Sequence, residues 1–135
     1  MTTARGAWAL GWCGIAGAAV ANGGLRERVL VPRLGTLRAH QVSSGVLVAT
    51  IVATAAVLQR THPLLDREAA LRVGLGWSVG TLAFELGAGA VRGLPLSDLV
   101  ADYDLRAGRV WAFVPLTMAV APMLVERLSR RRAAG

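Results

Sequence analysis

The sequence has no lysine, one cysteine, one tyrosine and two histidines. Cys13 alone excludes an intramolecular disulfide and argues against a cysteine-based metal site. His40 and His62 stand too far apart in sequence to suggest a metal pair, so no metal is expected. No glycine-rich phosphate loop, HExxH, CxxC or GxSxG pattern is present, and no cofactor is expected. A GC-rich coding bias explains the missing lysine more simply than any binding role, although arginine is the better bidentate partner for carboxylate and phosphate.

What is abundant is apolar. Hydrophobic residues make up 54% of the 135-residue chain, above the range of most soluble proteins. They fall into runs at residues 6–21, 42–58, 73–91 and 110–128. The expected fold is therefore all-α, a single transmembrane domain built as a four-helix bundle, because a helix satisfies its own backbone groups in lipid. The first run is short, about 24 Å at ~1.5 Å per residue. A cleaved signal peptide ending at Ala19-Val20-Ala21 is the rival reading. Against it, Gly11, Gly14 and Gly17 resemble a packing face. Gly45, Ala49 and Ala53 in the second run, and Gly76 and Gly80 in the third, repeat that small-residue spacing. Pro115 and Pro122 predict a kinked fourth helix, with Trp111 as an interfacial anchor. Asp66 is placed to cap a helix beginning near Arg67.

Between the first two runs, residues 22–41 carry Arg26, Glu27, Arg28, Arg33, Arg38 and His40 among leucines and valines. This pattern suits an amphipathic stretch on a membrane surface, interrupted by Pro32 and Gly35. Four spans place both termini on one side. That side receives eight arginines (5, 60, 67, 72, 127, 130, 131, 132), and the other receives seven (26, 28, 33, 38, 92, 106, 109). The positive-inside rule barely decides, and the compact basic tail points to cytoplasmic termini in a bacterial inner membrane. The formal charge of +7 flanks hydrophobic runs, so membrane lipids with anionic headgroups are expected partners rather than nucleic acid.

One acid breaks the third run. Glu85 lies within residues 73–91, where a carboxylate costs roughly 2.5–3.5 kcal/mol at a helix centre on insertion scales. It sits toward the Arg92 end. The topology therefore gathers Asn22, Arg26, Glu27, Arg33 and His40 with Glu85, Asp102, Tyr103 and Arg109 at one membrane face. An arginine partner is expected for Glu85, with Arg26 or Arg109 first in line, since a guanidinium grips both oxygens and resists deprotonation. A buried ion-pair network that closes the bundle competes with a functional site here. Asp98, Asp102 and Asp104 suit a solvated acidic loop better than a cation site.

The segments Asn22-Gly-Gly-Leu-Arg-Glu27, Arg33-Leu-Gly-Thr-Leu-Arg-Ala-His40, Phe84-Glu85 and Asp102-Tyr-Asp-Leu-Arg-Ala-Gly-Arg-Val-Trp111 resemble a group of small four-span bacterial inner-membrane proteins. The resemblance covers most of the chain. It implies four helices and an inner-membrane location, and it brings no activity, ligand or catalytic residue with it. Three functions fit. The leading one is a binding or accessory subunit with a polar pocket at one membrane face, and it is more simply a non-enzyme. The second is a transporter of a small ion or anionic solute with Glu85 as coupling site. Four short spans make a thin pathway, so a homodimer or another membrane protein would complete it. The third is a lipid-modifying enzyme.

Overall fold

A computed structural model describes residues 3–135. It is all-helical, with no strand among the described residues. Four long helices carry the fold: α1 (Ala4–Leu25), α3 (Thr36–Thr61), α4 (Arg67–Val91) and α6 (Phe113–Ala134). Two short helices, α2 (Val31–Leu34) and α5 (Leu96–Ala101), lie in the connections. The Thr3 hydroxyl caps α1 through Gly6 N–H. Asp66 caps α4 through Ala69 N–H at 2.7 Å, at the position expected from sequence.

The helices pack in a ring, α1 against α3, α3 against α6, α6 against α4 and α4 against α1. Cross-helix pairs give the directions. Trp8 meets the carbonyl of His62 and Asn22 meets Ser43, so α1 and α3 are antiparallel. Ser78 meets the carbonyl of Pro115, so α4 and α6 are antiparallel. Trp8 and Trp12 meet Trp77 and Thr81, so α1 and α4 run parallel. The start of α1 and the end of α6 therefore lie at the lower end of the bundle. The connections 26–35 and 92–112 lie at the upper end.

The core is a stripe on each helix. On α3 it falls at every fourth residue, Ala39, Ser43, Leu47, Ile51 and Ala55, the spacing of one helix face. Gly45, Ala49 and Ala53 face outward instead. α4 and α6 approach closely at Gly74, where an added Cβ would collide with the Ala119 carbonyl oxygen of α6. Of the expected glycine faces, Gly11 packs on Leu58 and Gly80 on Trp12, while Gly14, Gly17 and Gly76 meet open space.

Residues 22–41 do not form a separate element. The helix continues from α1 through a π-turn at Arg26–Leu30 into α2. Pro32 explains the π-turn: its ring would crowd the carbonyl four residues back in a regular helix. The wider turn lets Val31 N–H reach Arg26 O, five residues back. Gly35, at φ +81°, then reverses the chain into α3.

Of the long helices, Thr36–Thr61 is long and apolar enough to cross a membrane, with mean hydropathy 1.9 over its most apolar window. Only 28% of that window is buried in the protein. The others fall short for visible reasons. Glycine and tryptophan dilute α1, and glycine with Glu85 dilutes α4. α6 begins at Phe113, so Val110–Ala112 drop out of it while Glu126, Arg127 and Arg130 fall within it. Pro115 therefore sits in the first turn of α6, where its missing N–H is tolerated, and Pro122 is interior and buried. Glu126 is 3% exposed and pairs with Arg130 at 2.6 Å.

Gly74→Ala is expected to destabilise the bundle by about 1–3 kcal/mol, because the Cβ must push backbone rather than a flexible side chain. Gly76→Ala, two residues away and facing open space, is expected to be neutral or to gain at most ~1 kcal/mol from helix propensity. Thermal unfolding of the two purified variants checks the contrast, and equal effects would contradict the α4–α6 contact.

Candidate functional site

The upper half of the α1–α4 seam opens into a cavity of about 710 Å³. The cause lies in how α1 and α4 are joined. Their hydrogen bonds, from Trp77 to the Trp8 carbonyl and from Trp12 to Thr81, both lie low in the seam. Above Trp12 no hydrogen bond connects the two helices among the described residues. Small residues such as Ala16, Ala19, Gly23 and Ala88 line the opening, and Leu47, Val114 and Met118 close the back.

The roof is the connection after α4. Its first turn is built by Gly93 at φ +70°, with Leu94 N–H on the Gly89 carbonyl at 2.9 Å and Gly93 N–H on Ala90 at 3.0 Å. These are the paired bonds of a glycine-terminated helix end. α5 then lies back on α4, and Leu99 packs where Gly89 has no side chain. Farther on, Gln41 of α3 donates to the Gly108 carbonyl at 2.9 Å and ties the far side of the roof to the bundle.

Glu85 lines this cavity from α4. Among the described residues no arginine pairs with Glu85. Oε2 of Glu85 accepts a hydrogen bond from the Tyr103 hydroxyl at 2.6 Å, and Oε1 has no hydrogen-bond partner among the described residues. The two candidate arginines are engaged elsewhere. Arg26 Nε binds Glu27 at 3.1 Å, and Arg109 binds Asp102 at 2.8 Å. Each thus meets a carboxylate close to it in sequence. The Trp111 indole lies beside Glu85 and Tyr103, yet its buried Nε1–H has no properly aligned acceptor.

The structure brings Arg26, Glu27, His40, Glu85 and Asp102 to the cavity lining, with Tyr103 and Arg109 one hydrogen bond behind. Two expected residues have other places. Asn22 ties α1 to α3, donating to the Ser43 carbonyl and hydroxyl at 2.9 and 2.7 Å. Arg33 is exposed on α2 and does not line the cavity. Sequence reasoning missed the aromatic walls, Trp12, Phe84 and Trp111, and the roof residue Asp98. Trp12 and Phe84 meet edge to face at 6.4 Å. Asp104 caps the turn at Leu105–Ala107 rather than joining Asp98 and Asp102 in a cluster.

No protein-family model matches the chain, and neither does any curated protein or solved structure. Geometry alone therefore carries the functional reading.

Tyr103 is the only tyrosine, so its titration is directly visible. Burial, and then the Glu85 carboxylate it donates to, push its pKa above the ordinary 10.0. Phenolate absorbance at 295 nm is expected to rise only well above pH 10. Glu85→Gln removes the negative charge and should move the transition down toward 10. An unshifted titration in the parent protein would mean that the phenol is not held by Glu85.

Proposed function

We propose that the chain is a small multi-pass protein of the bacterial inner membrane, and that it acts as a binding or accessory subunit through a polar pocket at one membrane face. The observation that carries this reading is the cavity between α1 and α4, apolar in its walls and charged at its roof. Its volume falls within the roughly 300–1,000 Å³ of small-molecule sites.

Three features support a bilayer around it. Large apolar side chains face outward along the middle of the helices, among them Leu10, Val46, Val52, Leu75, Val79, Leu82 and Val120. A water-facing bundle rarely exposes so continuous an apolar belt. The outward hydroxyls of Thr50 and Thr117 donate to backbone carbonyls four residues back, so they need no water. Arg28, Arg33, Arg38 and Arg106 are exposed at the upper end with no ion pair among the described residues. Lipid phosphates would satisfy them. Transport with Glu85 as coupling site is the second reading, favoured by the unbonded Oε1 at the cavity wall.

A thiol-reactivity comparison tests the membrane and the pocket together. In a Cys13→Ser background, Ala19→Cys should react with a water-borne thiol reagent because it lines the cavity. Val52→Cys, which is exposed on the bundle exterior, should be protected by lipid. Reaction at both positions sinks the membrane assignment, and protection at both sinks the wet pocket.

Orientation follows from the basic tail. A fluorescent protein fused after Gly135 should fluoresce and alkaline phosphatase there should be silent. The opposite pattern reverses the chain in the membrane.

A further inference from the structure

The charge of the cavity is opposite to that of the chain. The protein carries 15 arginines against 8 acids, yet the cavity lining holds Arg26 and Arg92 against Glu27, Glu85, Asp98 and Asp102. Two of those acids are neutralised, Glu27 by Arg26 and Asp102 by Arg109. Arg92, Glu85 and Asp98 remain without an ion pair among the described residues, an excess of one negative charge. Arg92 and Asp98 are exposed, whereas Glu85 is partly buried in the wall.

Aromatic rings are concentrated at the same place. The chain has seven (4 Trp, 1 Tyr, 2 Phe). Three of them, Trp12, Phe84 and Trp111, line the cavity, and Tyr103 holds the Glu85 carboxylate. Aromatic faces attract cations, by about 0.5–1 kcal/mol when exposed and ~2 kcal/mol or more when desolvated. A partly buried carboxylate beside the rings adds its own pull on the same charge. Oε2 is held by Tyr103, and Oε1 has no hydrogen-bond partner among the described residues. The walls offer apolar surface from Ile15, Leu47 and Met118 but few further polar groups, so they suit a ligand body without hydrogen-bonding needs.

From these observations we infer that the cavity is a site for a lipophilic organic cation, an ammonium or phosphonium centre on an apolar body, held by the Glu85 carboxylate against Trp12, Phe84 and Trp111. The inference rests on the proposed pocket function and names the ligand class of that pocket. An anionic solute, suggested by the arginine content, is disfavoured because it would face the unneutralised Glu85.

Two ions of nearly the same size and shape and opposite charge decide the sign. Equilibrium dialysis of the full chain in uncharged detergent, corrected for empty micelles, compares tetraphenylphosphonium with tetraphenylborate. Saturable phosphonium binding at least tenfold tighter than borate binding is expected. Glu85→Gln should weaken it tenfold or more, while Glu85→Asp, which keeps the charge, should retain the preference for the cation. Equal binding of the two ions, preference for borate, or no saturable binding of either overturns the inference. So does a folded Glu85→Gln variant that binds phosphonium unchanged. If Glu85→Gln fails to fold, the parent comparison and Glu85→Asp still decide. A reactive Ala19→Cys combined with any of these negative results leaves the pocket standing and removes only the cationic ligand.

Discussion

Two indole N–H groups hold the seam on which the cavity depends, and a third ties α1 to the end of α3. Trp77 donates to the Trp8 carbonyl at 3.0 Å, Trp8 to the His62 carbonyl at 2.9 Å and Trp12 to Thr81 at 3.0 Å. The Trp8 and Trp77 rings lie 5.3 Å apart, and Trp8 is 1% exposed. A buried N–H left unbonded costs about 1–3 kcal/mol, so each indole fixes the helix it reaches. The two that bridge α1 and α4, from Trp77 and Trp12, both act in the lower half of that seam. α1 and α4 are parallel, with no direct chain reversal between them, and nothing comparable joins them above Trp12. The seam is therefore shut below and open above. The fourth tryptophan, Trp111, stands at the open end, and its buried N–H has no aligned acceptor among the described residues.

The four long helices were legible because the apolar runs are long and the charges between them are dense. The packing faces were legible only in part, at Gly11 and Gly80. Gly45, Ala49 and Ala53 share a four-residue spacing with the buried set Ser43, Leu47, Ile51 and Ala55, displaced by two residues. Periodicity fixes a face but does not say whether protein or another apolar medium covers it. The start of α6 was misplaced because Val110, Trp111 and Ala112 are as apolar as the first turn of the helix itself. Tight turns through Arg109 and Phe113 nevertheless hold them outside it.

The site was legible as far as topology reaches. Arg26, Glu27, His40, Glu85 and Asp102 converge because alternating helices bring the first and third connections to one end. The aromatic walls were hidden, since Trp12 and Phe84 look like ordinary apolar residues at helical spacing. The roof was hidden too, because Leu99 on Gly89 depends on a backbone close approach that no sequence pattern announces.

The Glu85 partner shows how local charge decides a site. A guanidinium at Glu85 would have had to leave Glu27 or Asp102, carboxylates that Arg26 and Arg109 meet with little displacement. Drawing it inward would also desolvate a second charge, a penalty of several kcal/mol per ion. The Tyr103 phenol donates a charge-assisted hydrogen bond and brings no charge with it. Glu85 is thereby held in place but not neutralised by an ion pair. The result is a separation of sign. Arginines crowd the exposed upper rim, while the cavity beneath them keeps a carboxylate unmatched. The positive charge thus stays at the exposed rim, and the carboxylate below it stays without a countercharge from the protein.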